Sequence, residues 1–234
     1  MAHEQRARLR SAARRSWVRD MLMILTAVLA GAFGLYAISR GAGGVTGLDR
    51  KTSWLWDASA RSATSAIYGH MVLGGMVTAL APLQAVGWIR SRVPTVHRWF
   101  GYGIATLAAA TALGGLTYIA LRGTVGGTPM SVAFTLYGLL MLIAAVQTLR
   151  HARAGWPTHR DWALRLIVLI LGSWLYRVHY GLWYMSTGGL ATNDQFTGAF
   201  DLVTLYAFYL PYLAVLELWL WWRPSNRAEP TAIA

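Results

Sequence analysis

Thr158-His159-Arg160-Asp161-Trp162-Ala163-Leu164-Arg165, continuing through Leu166 to Tyr184, decides how this chain is read. The stretch is about 26 residues long, and a helix of that length crosses a ~30 Å hydrocarbon core. Yet it carries His159, Arg160, Asp161, Arg165, Arg177 and His179. Ionisable groups at membrane depth are costly and mark functional sites by default. Stepping 100° per residue from His159 brings Ser173, Arg177 and Gly181 within about 40° of it, while Arg165, Gly172, Tyr176, His179 and Trp183 gather on the opposite side. With polar groups on both faces, the segment reads as a central helix surrounded by others.

Composition agrees. The chain has 234 residues, 56% of them hydrophobic and only 13% charged, and its apolar runs recur along the whole length. That is the polytopic membrane class. The formal net charge is +12, but the arginines fall between apolar spans, as in cytoplasmic loops beside an anionic leaflet, so nucleic acid is not the implied partner. The lipid bilayer is. The chain has no cysteine, which excludes disulfides, thiolate metal sites and covalent haem attachment. No Walker loop, dinucleotide fingerprint, H-E-x-x-H or nucleophile elbow is present.

Six spans are expected, at about 21–39, 64–89, 98–121, 131–149, 159–184 and 201–222. They lie between a basic N-terminal tail (1–20) and a C-terminal tail (223–234), and the first span is read as uncleaved. Pro82 and Pro211 should kink the second and sixth spans. Thr158-x-x-Asp161 is a capping-box pattern opening the fifth. Trp54 and Trp56 suit an interfacial loop, and Trp219, Trp221, Trp222 and Arg223 form an aromatic belt with a cationic stop. Fourteen Lys and Arg residues lie on the side of the N-terminus, the loops around Arg90 and Arg150, and the C-terminus. Five lie on the other side, at Arg40, Arg50, Lys51, Arg61 and Arg122. By the positive-inside rule both termini are cytoplasmic.

Four of the six histidines are well placed. His70 and His179 each lie about 10 Å below the outer surface, while His97 and His159 each open a span at the inner surface. Two histidines at each of two depths is what two bis-histidine haems b need, with Arg98, Arg160 and Arg177 as partners for propionates. If only one haem is present, it is expected to be the outer one, at His70 and His179, since those ligands lie inside the hydrocarbon. Small residues with Gln84 share the His70 face, and Gly101, Ala108, Thr111 and Gly115 share the His97 face. They give room for a macrocycle or, equally, for close helix packing. A buried histidine can also hydrogen-bond across helices, and interfacial His-Arg pairs also bind phosphates or lipid headgroups. Arg177 needs a partner at its depth: propionates, Asp201 or backbone carbonyls. Arg165 and Glu217 are expected as a structural ion pair. His3 and His151 receive no role.

Together, His70-x-x-x-Gly74, Pro82-Leu83-Gln84, Arg90, His97-Arg98-Trp99-Phe100-Gly101, His159 to Arg165 and Arg177 resemble the bacterial membrane-protein family called domain of unknown function 2306. The likeness covers roughly residues 68–180 and departs at Ala163, where members commonly carry Met. It implies a multi-pass protein of the bacterial cytoplasmic membrane and no assigned activity. The six-helix plan is more distantly similar to ascorbate-dependent transmembrane cytochromes b, whose haem ligands occupy four successive helices; here the fourth span has none in its interior. Three functions stay open. One is electron transfer through haem b, exchanging electrons with a quinol or a partner protein. The second is a haem-free accessory subunit of a larger membrane complex. The third is a transporter or sensor that binds an anionic ligand at the His-Arg cluster.

Overall fold

A computed structural model of the chain describes residues 2–47, 53 and 55–223, with side chains from Trp17 onward. Arg50, Lys51, Trp54 and the C-terminal tail after Arg223, named above, lie outside the described residues, as does the His3 side chain. Every regular element is helical: α1 (Ala2–Thr46), α2 (Arg61–Leu80), a 3-10 turn (Ala81–Ala85), α3 (Gly87–Arg92), α4 (Pro94–Arg122), α5 (Gly127–Arg153), α6 (His159–Thr187), α7 (Ala199–Ala207) and α8 (Leu210–Trp222). Six helical segments are long and apolar enough to cross a membrane: Trp17–Thr46, Arg61–Ala85, Pro94–Arg122, Gly127–Arg153, His159–Thr187 and Ala199–Trp222. This is the architecture of a multi-pass membrane protein in contact with lipid. Large apolar side chains such as Val28, Leu35, Val203 and Val215 point outward from the bundle.

The basic segment expected as a tail is instead the first part of α1. It holds no glycine or proline and is rich in Arg and Ala, both strong helix formers. Both expected kinks are chain breaks. Pro82 cannot donate a backbone hydrogen bond, so α2 tightens into the 3-10 turn at Ala81. Pro211 sits in the first turn of α8, and the helix stops before it at Ala207. The break drives Phe208 and Tyr209 inward, where both are buried. They pack with Tyr137, the ring centroids lying 4.9 and 5.2 Å away. The Tyr137 hydroxyl donates to the Leu169 carbonyl of α6, and this cluster fastens α5, α6 and the sixth span together.

Neighbouring helices pack in sequence order from α1 through α2, α4 and α5 to α6. Helix α6 packs along α5 and also touches α1, α2, the 3-10 turn and α8. The α1–α2 seam is a backbone contact. A Cβ on Gly34 would stand 2.6 Å from the Gly75 carbonyl oxygen, and one on Gly41 would stand 2.9 Å from the Tyr68 carbonyl oxygen. Close approach of this kind replaces the hydrophobic effect as the source of helix association in lipid. At the end holding the α1–α2 loop, Arg122 of α4 lies 3.6 Å from Asp57. The Ser59 hydroxyl and N–H, donating to Asp57, hold its carboxyl below the usual range.

Gly75→Val should therefore destabilise the detergent-solubilised protein by about 1–3 kcal/mol, because neither backbone can give way. Gly31→Ala, whose Cβ would meet nothing within 4 Å, should be neutral. Thermal unfolding of the two variants checks this; equal melting would show that the seam is not tight.

Candidate functional site

The strongest concentration of polar groups lies where α3 and α4 begin and where α6 begins, here called the basic end. Helix α3 is placed by Asp20 of α1. The Asp20 carboxylate accepts from the Gly87 and Trp88 N–H groups at 3.0 and 3.1 Å, and from Arg19 at 3.0 Å. A carboxylate at a helix N-terminus satisfies donors that have no partner within the helix. It fixes the short helix that carries Arg90 and Arg92. Asp20 was not singled out from the sequence, although a lone acid in a run of arginines was the available signal.

Inside this end is a cavity of about 820 Å³, to which all six spans contribute. His97 and Arg98 of α4, His159 and Arg160 of α6, Arg90 of α3, Arg19 of α1 and Gln84 of the 3-10 turn stand on its wall. Ile104, Leu166, Ile167 and Ile170 make an apolar floor, and Leu216 and Trp219 come from α8. Among the described residues no carboxylate lines it. Room exists because small residues, among them Ala81, Ala85, Gly101, Ala152 and Ala163, line it. Arg90 and His159 lie close enough to His97 to act on it electrostatically. His97 Nδ1 is enclosed and has no hydrogen-bond partner among the described residues.

Helix α6 does not start as the capping-box pattern implies. Thr158 makes no side-chain cap; its hydroxyl is held by His151 Nδ1 at 2.7 Å. Asp161 is taken by Arg223 at 2.6 Å. Both groups prefer long-range partners to the local backbone, and His151 is thereby given a structural role. Arg165 Nε lies 2.5 Å from Glu217 Oε1 and Arg165 Nη2 lies 2.7 Å from Oε2, a two-pronged pair joining α6 to α8. The Arg165 guanidinium also stacks on Trp162, 4.7 Å from the ring centroid.

The other two histidines take separate partners. His70 of α2 has its Nδ1 2.8 Å from the Thr111 carbonyl oxygen of α4. Its ring lies against Gly115, where a Cβ would stand 3.0 Å from Nδ1. The glycines of α4 thus seat this imidazole. His179 Nε2 lies 2.9 Å from the Tyr212 hydroxyl of α8, and the two rings stack.

Arg177 is the exception among the deep cations. Asp201, one partner expected for it, is fully buried and already satisfied. It accepts from the Tyr180 hydroxyl at 2.6 Å, the Asn193 N–H at 3.1 Å and the Gly198 N–H at 2.9 Å. Arg177 donates only to the Ser173 carbonyl of its own helix, at 3.2 Å, and pairs with no carboxylate among the described residues. Its guanidinium stands over the rings of Phe33 and Tyr176, at 5.0 and 5.7 Å.

No family model, curated protein or solved structure matches the chain.

These two residues make opposite predictions for stability. Arg177→Leu strands no anion and removes a costly cation, so thermal stability should be held or raised. Asp201→Ala strands the Tyr180 hydroxyl and the Asn193 and Gly198 N–H groups, all in half-buried bonds, and should cost about 2 kcal/mol or more. A variant Asp201→Ala as stable as Arg177→Leu would contradict these assignments.

Proposed function

We propose that the protein is a membrane electron-transfer protein holding one haem b in the basic-end cavity, with His97 and His159 as axial ligands. The carrying observation is that His97 and His159 stand together on the wall of one cavity, with Arg98 and Arg160 beside them. The donor set fits the group: two imidazoles, several guanidiniums without a competing carboxylate, an apolar floor, and a volume within the range of cofactor pockets. Both His-Arg motifs behind the resemblance to domain of unknown function 2306 reach this one cavity.

When bound, haem b supplies one-electron redox chemistry. The chain's own residues then have distinct tasks. Arg98 and Arg160 would engage propionate carboxylates with planar donor forks. Gln84 adds a neutral polar group on the same wall. Ile104, Leu166 and Ile170 exclude water, which strengthens the electrostatics within the site. A quinol or a partner protein would exchange the electrons.

The same absence of carboxylates favours one other occupant, the head of an anionic lipid with its chains along the apolar floor. Optical spectra separate the two. Protein from haem-replete cells should show a Soret band and sharp α and β bands on reduction. His97→Ala and His159→Ala should each abolish the six-coordinate spectrum, whereas His70→Ala and His151→Ala should leave it intact. Colourless protein from such cells would overturn the haem reading and leave the anionic-ligand and accessory-subunit functions.

For orientation we infer that the basic end and both termini face the cytoplasm of a bacterial cell, from the surplus of arginines there. Reporter fusions at residues 94 and 154 should report the cytoplasmic side, and those at 45, 125 and 192 the opposite side. Consistent inversion would overturn it.

A further inference from the structure

The six membrane segments hold four carboxylates, and each is engaged within the chain. Asp20 caps α3, Asp161 pairs with Arg223, Glu217 pairs with Arg165, and Asp201 meets three donors. None of them is left for Arg177. Its guanidinium donates to the Ser173 carbonyl, one turn back along α6, and stands 5.0 Å from the centroid of the Phe33 ring of α1. From Asp161 to Tyr176 no residue of α6 is exposed; Arg177 is the first that is, and Gly181 and Leu182 follow one turn later. The central helix thus comes to the surface of the bundle at Arg177, about 15 Å before its end at Thr187.

An exposed guanidinium within an apolar segment calls for an anion from outside the chain. Lipid phosphates lie at the membrane surfaces, and cations near a helix end reach them by extending toward that end. Arg177 does the opposite. Its bond to Ser173 turns the side chain toward the middle of α6 and away from Thr187. A second copy of this chain brings no free carboxylate in its membrane segments, since all four are engaged. What fits is an Asp or Glu on a transmembrane helix of a different membrane protein. The surface beside Arg177 has room for such a helix. Gly181 lies four residues on, on the same face, and a Cβ there would meet nothing within 4 Å. Glycines such as Gly34, Gly75 and Gly115 are explained by contacts inside the chain. Gly181 is not, although glycine costs a helix about 1 kcal/mol relative to alanine. A small residue here lets a partner backbone approach closely enough for a short acidic side chain to reach the guanidinium.

We propose that Arg177, Phe33 and Gly181 form a docking face for a transmembrane helix of a different membrane protein, whose Asp or Glu pairs with Arg177 inside the hydrocarbon. Away from water such a pair is strong, and the planar guanidinium can meet a carboxylate with two parallel bonds. Tyr36, exposed and three residues beyond Phe33 on α1, flanks the face on one side, and Leu182 flanks it on the other. The face lies about 27 Å along α6 from His159, so docking does not require haem in the basic-end cavity.

The test uses the full chain in the membranes of its native cells, with photoreactive benzoylphenylalanine replacing Tyr36 or Leu182 beside the face, or Val215 on the exposed side of α8. The first two positions should each yield the same cross-linked membrane protein, joined at a helix that contains Asp or Glu, and the Val215 position should not. Arg177→Gln should lower the yield about ten-fold or more, the loss of one partner of a desolvated charge pair. Arg177→Lys, which keeps the charge, should retain most of it. Gly181→Leu should also lower the yield, yet the purified variant should melt like the parent, because its side chain meets open space on this chain. Arg177→Asp should abolish the product, and Lys in place of the partner's carboxylate should restore it. No cross-linked protein, a product joining two copies of this chain, lipid adducts alone, or a yield unchanged in Arg177→Gln and Gly181→Leu would each overturn the proposal. The α and β bands of the same samples report the basic-end haem independently, so a failure of either site is distinguishable from a failure of the other.

Discussion

A cation inside an apolar bundle must be paired, solvated or held for a ligand, and this constraint arranges the polar groups of the protein. Arg165 closes on Glu217 and Arg223 on Asp161, so that α6 and the last helix are tied together by ion pairs as well as by the Tyr137–Phe208 aromatic cluster. Asp201 meets three donors and fixes the loop that precedes α7. Once these pairs are formed, two groups stand out. Among the described residues His97 has an enclosed nitrogen without a partner, and Arg177 has a guanidinium without a counter-ion. They lie in different halves of the bundle.

The glycines and prolines decide how much space there is. Gly34 and Gly75 bring α1 and α2 into backbone contact, while Gly114 and Gly115 admit the His70 ring to the surface of α4. Pro82 ends α2 early, and the 3-10 turn that follows carries Gln84 to the cavity wall. Pro211 interrupts the sixth span and turns Phe208 and Tyr209 into the core. The small residues beside the histidines were open to two uses, room for a macrocycle or close packing. Around His97 they border a cavity, and around His70 they pack.

The six membrane helices were legible in the sequence because apolar length alone signals them, and the prolines marked where two would break. The Arg165–Glu217 partnership could be reached by matching depths along two spans. The cap of α6 could not, since Thr158 and Asp161 are drawn away by His151 and Arg223, and no local pattern carries that information. The identity of partners across the bundle was likewise hidden. Arg177 could have reached Asp201 by depth, yet Tyr180 and two backbone N–H groups hold that carboxylate. Nothing in the spacing of Arg19 or Trp219 indicated that they share a cavity with His97 and His159, because that depends on how all six spans are placed. The histidines were recognisable as candidates; which of them face one another was not.

The central claim is that one cavity, and not two histidine pairs at two depths, holds haem. The most direct measurement is the haem content of the purified protein, by pyridine haemochrome against protein mass. Isolated from haem-replete cells, the chain should hold about one haem b per molecule, in line with a single bis-histidine site. A ratio near two would contradict the account by requiring a second site at His70 or His179, and a ratio near zero would remove haem from it altogether.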